Sequence, residues 1–311
     1  MKESETKLNS HSGRICDLWA SHAWYVSGVK GMFALFGWWL VGIVLTGIIE
    51  EILKPLLPEN VMMYKMLVAD VLQYIPAIIY VARKSRRNSK TETGYKLVSS
   101  HFGPFKGWQL VLILVVLNFA YMIASEPIKY WNEELFMLIP AVQTLMKLFE
   151  EVLEKFENIP AWIFPLTAVV YAPVFEEWLC RGMVLRGLLA KIKPAWAIVL
   201  SALFFAIIHL NPVQGMNAFL LGLILGYVYY KTGSLWLTMF LHFVGNSSAF
   251  LRILLPGEDG YILNAVPMTA YVVMYVLGVV VLVACLMAFH RIPLEQKRGN
   301  IDEVAPRNQS L

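Results

Sequence analysis

Apolar residues in this chain run in long blocks and do not alternate with polar ones at the period of a half-buried strand. A helix crossing the hydrocarbon core of a bilayer needs roughly 20 predominantly apolar residues. Eight blocks reach or approach that length, at about 31–53, 60–82, 106–125, 160–186, 194–211, 214–231, 234–255 and 263–289. The third and fifth are short. Asn211-Pro212 makes a tight turn between the fifth and sixth, because proline continues a helix poorly. The pattern predicts an all-α fold, a polytopic membrane helix bundle of about eight transmembrane helices.

The intervening segments organise the chain. Residues 1–30 include the polar stretch to about Cys16 and are read as a cytoplasmic N-terminal segment. Residues 31–159 hold the N-terminal spans and an acidic stretch, 126–159, in which Leu145, Leu148, Phe149, Val152 and Phe156 recur at helical spacing. That stretch predicts an amphipathic helix lying on the outer surface. Residues 160–289 form a second transmembrane core, and 290–311 a polar cytoplasmic tail.

Composition strengthens this picture. Hydrophobic residues make up 58% of the 311 positions and charged residues 15%, with a mean hydropathy of +0.58. One soluble core cannot bury so much apolar surface, so lipid must be the solvent for most of it. Net charge is only +4, which is loop charge and no nucleic-acid footprint. Cys16, Cys180 and Cys285 show no metal-ligand spacing. No signal-peptide pattern precedes the first block, so that span is expected to stay in the mature protein.

Charge also orients the bundle. Arg83, Lys84, Arg86, Arg87 and Lys90 follow the second block, and Arg186, Lys191 and Lys193 follow the fourth. Lys231 follows the sixth, and Arg291, Lys297 and Arg298 follow the eighth. With eight spans all four groups share one side, while Glu133, Glu134, Glu150, Glu151, Glu258 and Asp259 lie on the other. The positive-inside rule then expects both termini in the cytoplasm.

Ionisable residues inside spans are costly, by about 2.5–3.5 kcal/mol each on insertion scales, and are therefore functional candidates. Three blocks break the apolar rule. Glu176-Glu177-x-x-x-Arg181 lies in the fourth. Glu177 and Arg181 are four apart, share a face and can pair, whereas Glu176 points about 100° away. Phe205-x-x-x-His209 ends the fifth, and His242-x-x-x-Asn246 puts an imidazole and an amide one turn apart in the seventh. Glu176 precedes the basic link near residue 192 by about 16 residues, and His209 follows it by about 17. In an antiparallel helix pair, equal distances from the turn mean equal height, here about 20–25 Å. His242 and Asn246, some 11 and 15 residues beyond Lys231, reach similar or shallower depth. The four groups are expected to share one buried cavity. A carboxylate beside an imidazole can act as general base on water, and imidazole and amide can offer hydrogen bonds to an oxyanion. Peptide hydrolysis is the chemistry that set suits, at a bond near the cytoplasmic side.

The motifs EExxxR at 176–181, FxxxH at 205–209 and HxxxN at 242–246 come in the order, and on the successive membrane helices, of the CPBP family, and the sequence resembles that family: the type II CAAX prenyl proteases and their bacterial Abi relatives. The match covers about residues 160–255. The resemblance implies an intramembrane endopeptidase acting on membrane-associated or lipidated proteins and peptides. Within it Glu176 and His209 activate the attacking water, His242 and Asn246 form the oxyanion hole, and Glu177, Arg181 and Phe205 support them. No HExxH is present, and a metal-free glutamate mechanism is favoured; Glu176, His209 and His242 are the set that would hold Zn if a metal were used. Two alternatives carry different chemistry. A proton- or ion-coupled transporter also uses buried Glu and His chains, but no inverted repeat marks one here. A non-catalytic scaffold or immunity protein could keep the motifs for packing. Gly222-x-x-x-Gly226 is read as a close helix contact. Trp38, Trp39, Trp108, Trp162, Trp196 and Trp236 are read as interfacial anchors. Ser247 and Ser248 lack a nucleophile-elbow frame.

Overall fold

The computed structural model describes residues 25–26, 28–58, 61, 64–91, 96–97, 102–154, 162–253, 261–293 and 296–297. In chain order the helices are α1 (Gly28–Leu53), α2 (Lys65–Leu72), α3 (Ile75–Thr91), α4 (Gly107–Met137), α5 (Pro140–Glu154) and α6 (Ile163–Leu189). They continue as α7 (Pro194–Ile207), α8 (Pro212–Thr232), α9 (Leu235–Ile253), α10 (Ile262–Ala265) and α11 (Met268–His290). Among the described residues five helices, α1, α4, α6, α8 and α11, are long and apolar enough to cross a membrane, and α7 and α9 are shorter apolar helices. The protein is an all-α, multi-pass membrane bundle.

Three of the predicted elements take another form. The block 60–82 is not one span: α2 ends at Leu72 and α3 starts at Ile75, with Pro76 in its first turn, where the ring is tolerated. The block 106–125 continues to Met137, through Pro127, as the 31-residue helix α4. The acidic stretch 126–159 is therefore divided. Its first part belongs to α4, where Glu126 and Asn132 are buried, and only Pro140–Glu154 is a separate helix.

The outer helices show why lipid is needed. Phe33, Val44, Ile48 and Ile52 of α1 and Val273, Val276 and Val280 of α11 all face outward, an arrangement stable only against acyl chains. Trp38, Trp108, Trp162, Trp196 and Trp236 are exposed as expected of anchors, but Trp39 is buried and packs beside Phe36. The core is centred on α6, whose residues from Trp178 to Leu189 are all buried. Close approaches hold its neighbours. A Cβ at Gly222 would sit 3.0 Å from Ala202 and one at Gly226 3.1 Å from Ile198, so the small-residue face of α8 lies directly on α7. Gly42 of α1 likewise leaves space for the carbonyl of Gln73, between α2 and α3.

Contacts fix which ends lie together. Tyr227 meets His290 at 3.5 Å, Gly103 packs on Pro293, Gly28 faces Lys191, and Lys96–Leu97 pairs antiparallel with Gln296–Lys297. Trp38 stacks on Tyr80 while Gly42 meets Gln73, so α3 runs antiparallel to α1. The four basic segments are thus at one end of the bundle. At the other end Tyr261 donates to Glu133 at 2.6 Å and the backbone N–H of Leu263 donates to Glu126 at 2.8 Å. Among the described residues the separation of charge read from the sequence is present in the fold; Arg298, Glu258 and Asp259 lie outside them.

Candidate active site

The site forms where α6 departs from regular α-geometry. Residues 166–171 and 178–185 are π-helical, and between them a short α-helical stretch carries Glu176 and Glu177. Such insertions occur mostly at functional positions. In the first, the Ala172 N–H bonds the Thr167 carbonyl, five residues back. The Ala168 carbonyl would then look to residue 173, which is proline and has no N–H. Asn246 of α9 satisfies it, Nδ2 donating to Ala168 O at 2.8 Å. In the second, Ser201 of α7 donates to the Cys180 carbonyl at 3.0 Å. Neighbouring helices thus satisfy carbonyls within the π-turns, as a lipid environment requires.

Glu177 and Arg181 pair at 2.7 Å, both fully buried, and the second guanidinium nitrogen donates to the Gly222 carbonyl at 3.0 Å. That bond is available because α8 carries glycine there and lies close. The guanidinium also stacks over Phe205, 4.5 Å from the ring centroid, a further attraction between cation and ring face. Phe205 in turn meets His209 and His242 edge-on, at 4.9 and 5.4 Å between centroids. The FxxxH phenylalanine is therefore the common floor for one guanidinium and two imidazoles.

His242 stands between the two carboxylates. Its Nδ1 is 3.2 Å from Glu177 Oε1, and its Nε2 is 3.8 Å from Glu176 Oε2. A carboxylate on Nδ1–H fixes the ring's orientation and leaves Nε2 for the reacting groups. Glu177 therefore holds both Arg181 and His242. His209 Nδ1 lies 2.7 Å from the Phe205 carbonyl. A carbonyl only accepts, so Nδ1 carries the hydrogen and Nε2 is the acceptor. The turn that follows is set by Leu210 in a left-handed conformation (φ 53°) and by Asn211, whose Oδ1 accepts from Val213 N and Gln214 N to start α8.

Glu176, His209, His242 and Asn246 all line one cavity of about 1270 Å³. The convergence expected from depth and spacing is realised, with the imidazole of His242 measured against the Glu176 carboxylate. Glu177 and Arg181 lie behind the wall and Phe205 on it. Sequence spacing did not reveal the opposite wall, supplied by α4. There Asn118 is buried, donates to Ser248 Oγ at 3.1 Å, and lines the cavity with Tyr121, Lys129 and Glu133. No motif marks these residues; the one signal was polar groups within an otherwise apolar helix. Ser248 also donates to the Val244 carbonyl at 2.7 Å and is committed to packing.

Metal fit is a separate question. Zinc needs three protein ligands at about 2.0–2.2 Å for N and O donors. Among the described residues no three His, Cys, Asp or Glu side chains gather closely enough to hold an ion. Glu177 on His242 Nδ1 and the Phe205 carbonyl on His209 Nδ1 would each leave Nε2 as the metal-facing nitrogen, so the misfit lies in the spacing of the three side chains. The arrangement as folded does not fit the Glu176/His209/His242 zinc set.

No curated protein and no solved structure matches the chain. Residues 158–248, the segment holding all three motifs, match the family model described as type II CAAX prenyl endopeptidase Rce1-like, so the likeness to the CPBP/CAAX protease family is shown over the part of the chain that forms this site.

Proposed function

We propose that the protein is an intramembrane endopeptidase that hydrolyses peptide bonds of membrane-associated or lipidated proteins and peptides, without a metal. One observation carries this reading: Glu176, His209, His242 and Asn246, from two helices and the turn after α7, line the same cavity. Glu176 takes a proton from water as the oxygen attacks the scissile carbonyl. His209, with Nε2 as acceptor, helps orient that water. His242, with hydrogens on both ring nitrogens so that Nδ1–H stays on Glu177 and Nε2–H donates into the cavity, and Asn246 supply hydrogen bonds to the oxyanion, each worth about 3 kcal/mol in the transition state. The proton held by Glu176 then passes to the leaving amine, and the peptide C–N bond breaks. Glu177, held by Arg181, positions His242, and neither touches substrate. The basic end faces the cytoplasm of a bacterial cell, carrying both termini with it.

The test compares small membrane-associated peptides, by mass spectrometry, between cells carrying the wild-type chain and cells carrying Glu176→Gln. Products present only with wild type are expected. Identical peptide sets would overturn the assignment of Glu176. Flux of an ion in liposomes with no hydrolysis would favour a transporter, and partner binding unchanged by a double Glu176→Ala/His209→Ala replacement would favour a scaffold.

A further inference from the structure

Among the described residues the lining of the cavity reaches one end of the bundle and not the other. On α6 its lining stops at Glu176 and includes nothing nearer the basic end. The same holds at Leu221 on α8, at His242 on α9 and at Asn118 on α4. Every lining residue of those helices lies at that level or on its acidic side. The floor is closed by Arg181, Phe205 and the direct contact of Gly222 with Ala202. The rim, by contrast, carries the exposed residues Glu133, Glu134, Gln214 and Asn264.

The length of α4 sets the height of that rim. Its 31 residues span about 46 Å at about 1.5 Å each, against a hydrocarbon core of about 30 Å. The helix starts at Gly107, near the basic end, where Gly103 packs on Pro293. About 20 residues cross the core, so the turns that carry Lys129, Glu133 and Glu134 stand in the headgroup region of the far leaflet. Sequence reasoning expects cleavage near the cytoplasmic side; the geometry of the cavity is the reverse.

Taking the orientation and the hydrolase reading proposed above, we infer that the cavity is reached from the extracytoplasmic face. Its substrate is then a polypeptide stretch that has already crossed the membrane: the outward-facing part of a membrane-anchored chain. A cytosolic tail cannot reach Glu176 through the packed floor.

Two introduced cysteines test this in the full-length protein, each in a background with Cys16→Ser and the buried Cys180 and Cys285 retained: Glu134→Cys at the rim and Arg291→Cys at the opposite end. Both native positions are exposed. A membrane-impermeant maleimide added to intact cells is expected to label position 134 and to reach 291 only after permeabilisation. The reverse pattern, or no labelling at 134 until the cells are opened, overturns the inference. A bulky maleimide on 134 is also expected to abolish the Glu176-dependent peptide products. Labelling from outside with processing unchanged would overturn the access route. Labelling decides the face on which the cavity opens whether or not peptides are cleaved, and the absence of Glu176-dependent products in unlabelled cells counts against the hydrolase reading alone.

Discussion

At the scale of residues, the adjacent glutamates have different work. Glu176 faces the cavity, whereas Glu177 is fully buried and holds a guanidinium and an imidazole. Removing one member of a buried ion pair leaves the other charge uncompensated, at a cost of about 3–5 kcal/mol. Glu177→Gln is therefore expected to lower the thermal unfolding midpoint in detergent markedly, and Glu176→Gln to leave it nearly unchanged while abolishing hydrolysis. Equal midpoints for the two variants would contradict this division of roles. Asn246 combines two functions, since its amide also satisfies the Ala168 carbonyl. Asn246→Ala is expected to slow turnover by about 100- to 1000-fold, the usual loss for one oxyanion donor, and to destabilise the bundle by about 1–3 kcal/mol through the orphaned carbonyl. A stability loss with normal turnover would make Asn246 a structural residue only. Spacing made the EExxxR, FxxxH and HxxxN residues legible. It did not reveal that Glu177 bridges Arg181 and His242, because that contact joins helices 65 positions apart in sequence.

Among the elements, α6 and α8 decide whether the site exists. The π-turns in α6 cannot be read from hydropathy, which reports only that the segment is apolar. Pro173 was the local clue, because a missing N–H frees a carbonyl that another helix must satisfy. The glycine pair of α8 was legible, since small residues four apart let helix backbones approach. Its consequence for the site was not: Gly222 also presents its carbonyl to Arg181. Gly222→Val would force atoms into a gap where a Cβ already sits 3.0 Å from Ala202, an overpacking cost of about 1–3 kcal/mol. It is expected to lower the unfolding midpoint and reduce hydrolysis together, by separating α7 from α8. Full activity in that variant would show that the close approach of α8 to α7 is dispensable for the site. The block at 60–82 was misread as one span because window hydropathy tolerates a two-residue break before Pro76. The acidic stretch was misread as a single surface helix because α4 continues its periodicity through Pro127.

For the whole molecule, sequence charge and structural contacts agree on two unlike ends, one basic and one acidic. That long-range order was legible because loop charge needs only the number and order of spans. The direction in which the cavity opens was not, since it depends on which levels are packed shut. The donor set also bears on the metal question. Hydrolysis by the purified chain is expected to continue unchanged in 1,10-phenanthroline, and loss of activity that added zinc restores would contradict the metal-free reading. The most direct test of the account is hydrolysis by the purified full-length chain in proteoliposomes made up in H₂¹⁸O, with a library of apolar peptides, prenylated and unprenylated, as substrate. One ¹⁸O in each newly formed carboxylate is expected with wild type and none above background with Glu176→Gln; equal incorporation by the two proteins, or none by either, would contradict the claim that this cavity hydrolyses peptide bonds through Glu176.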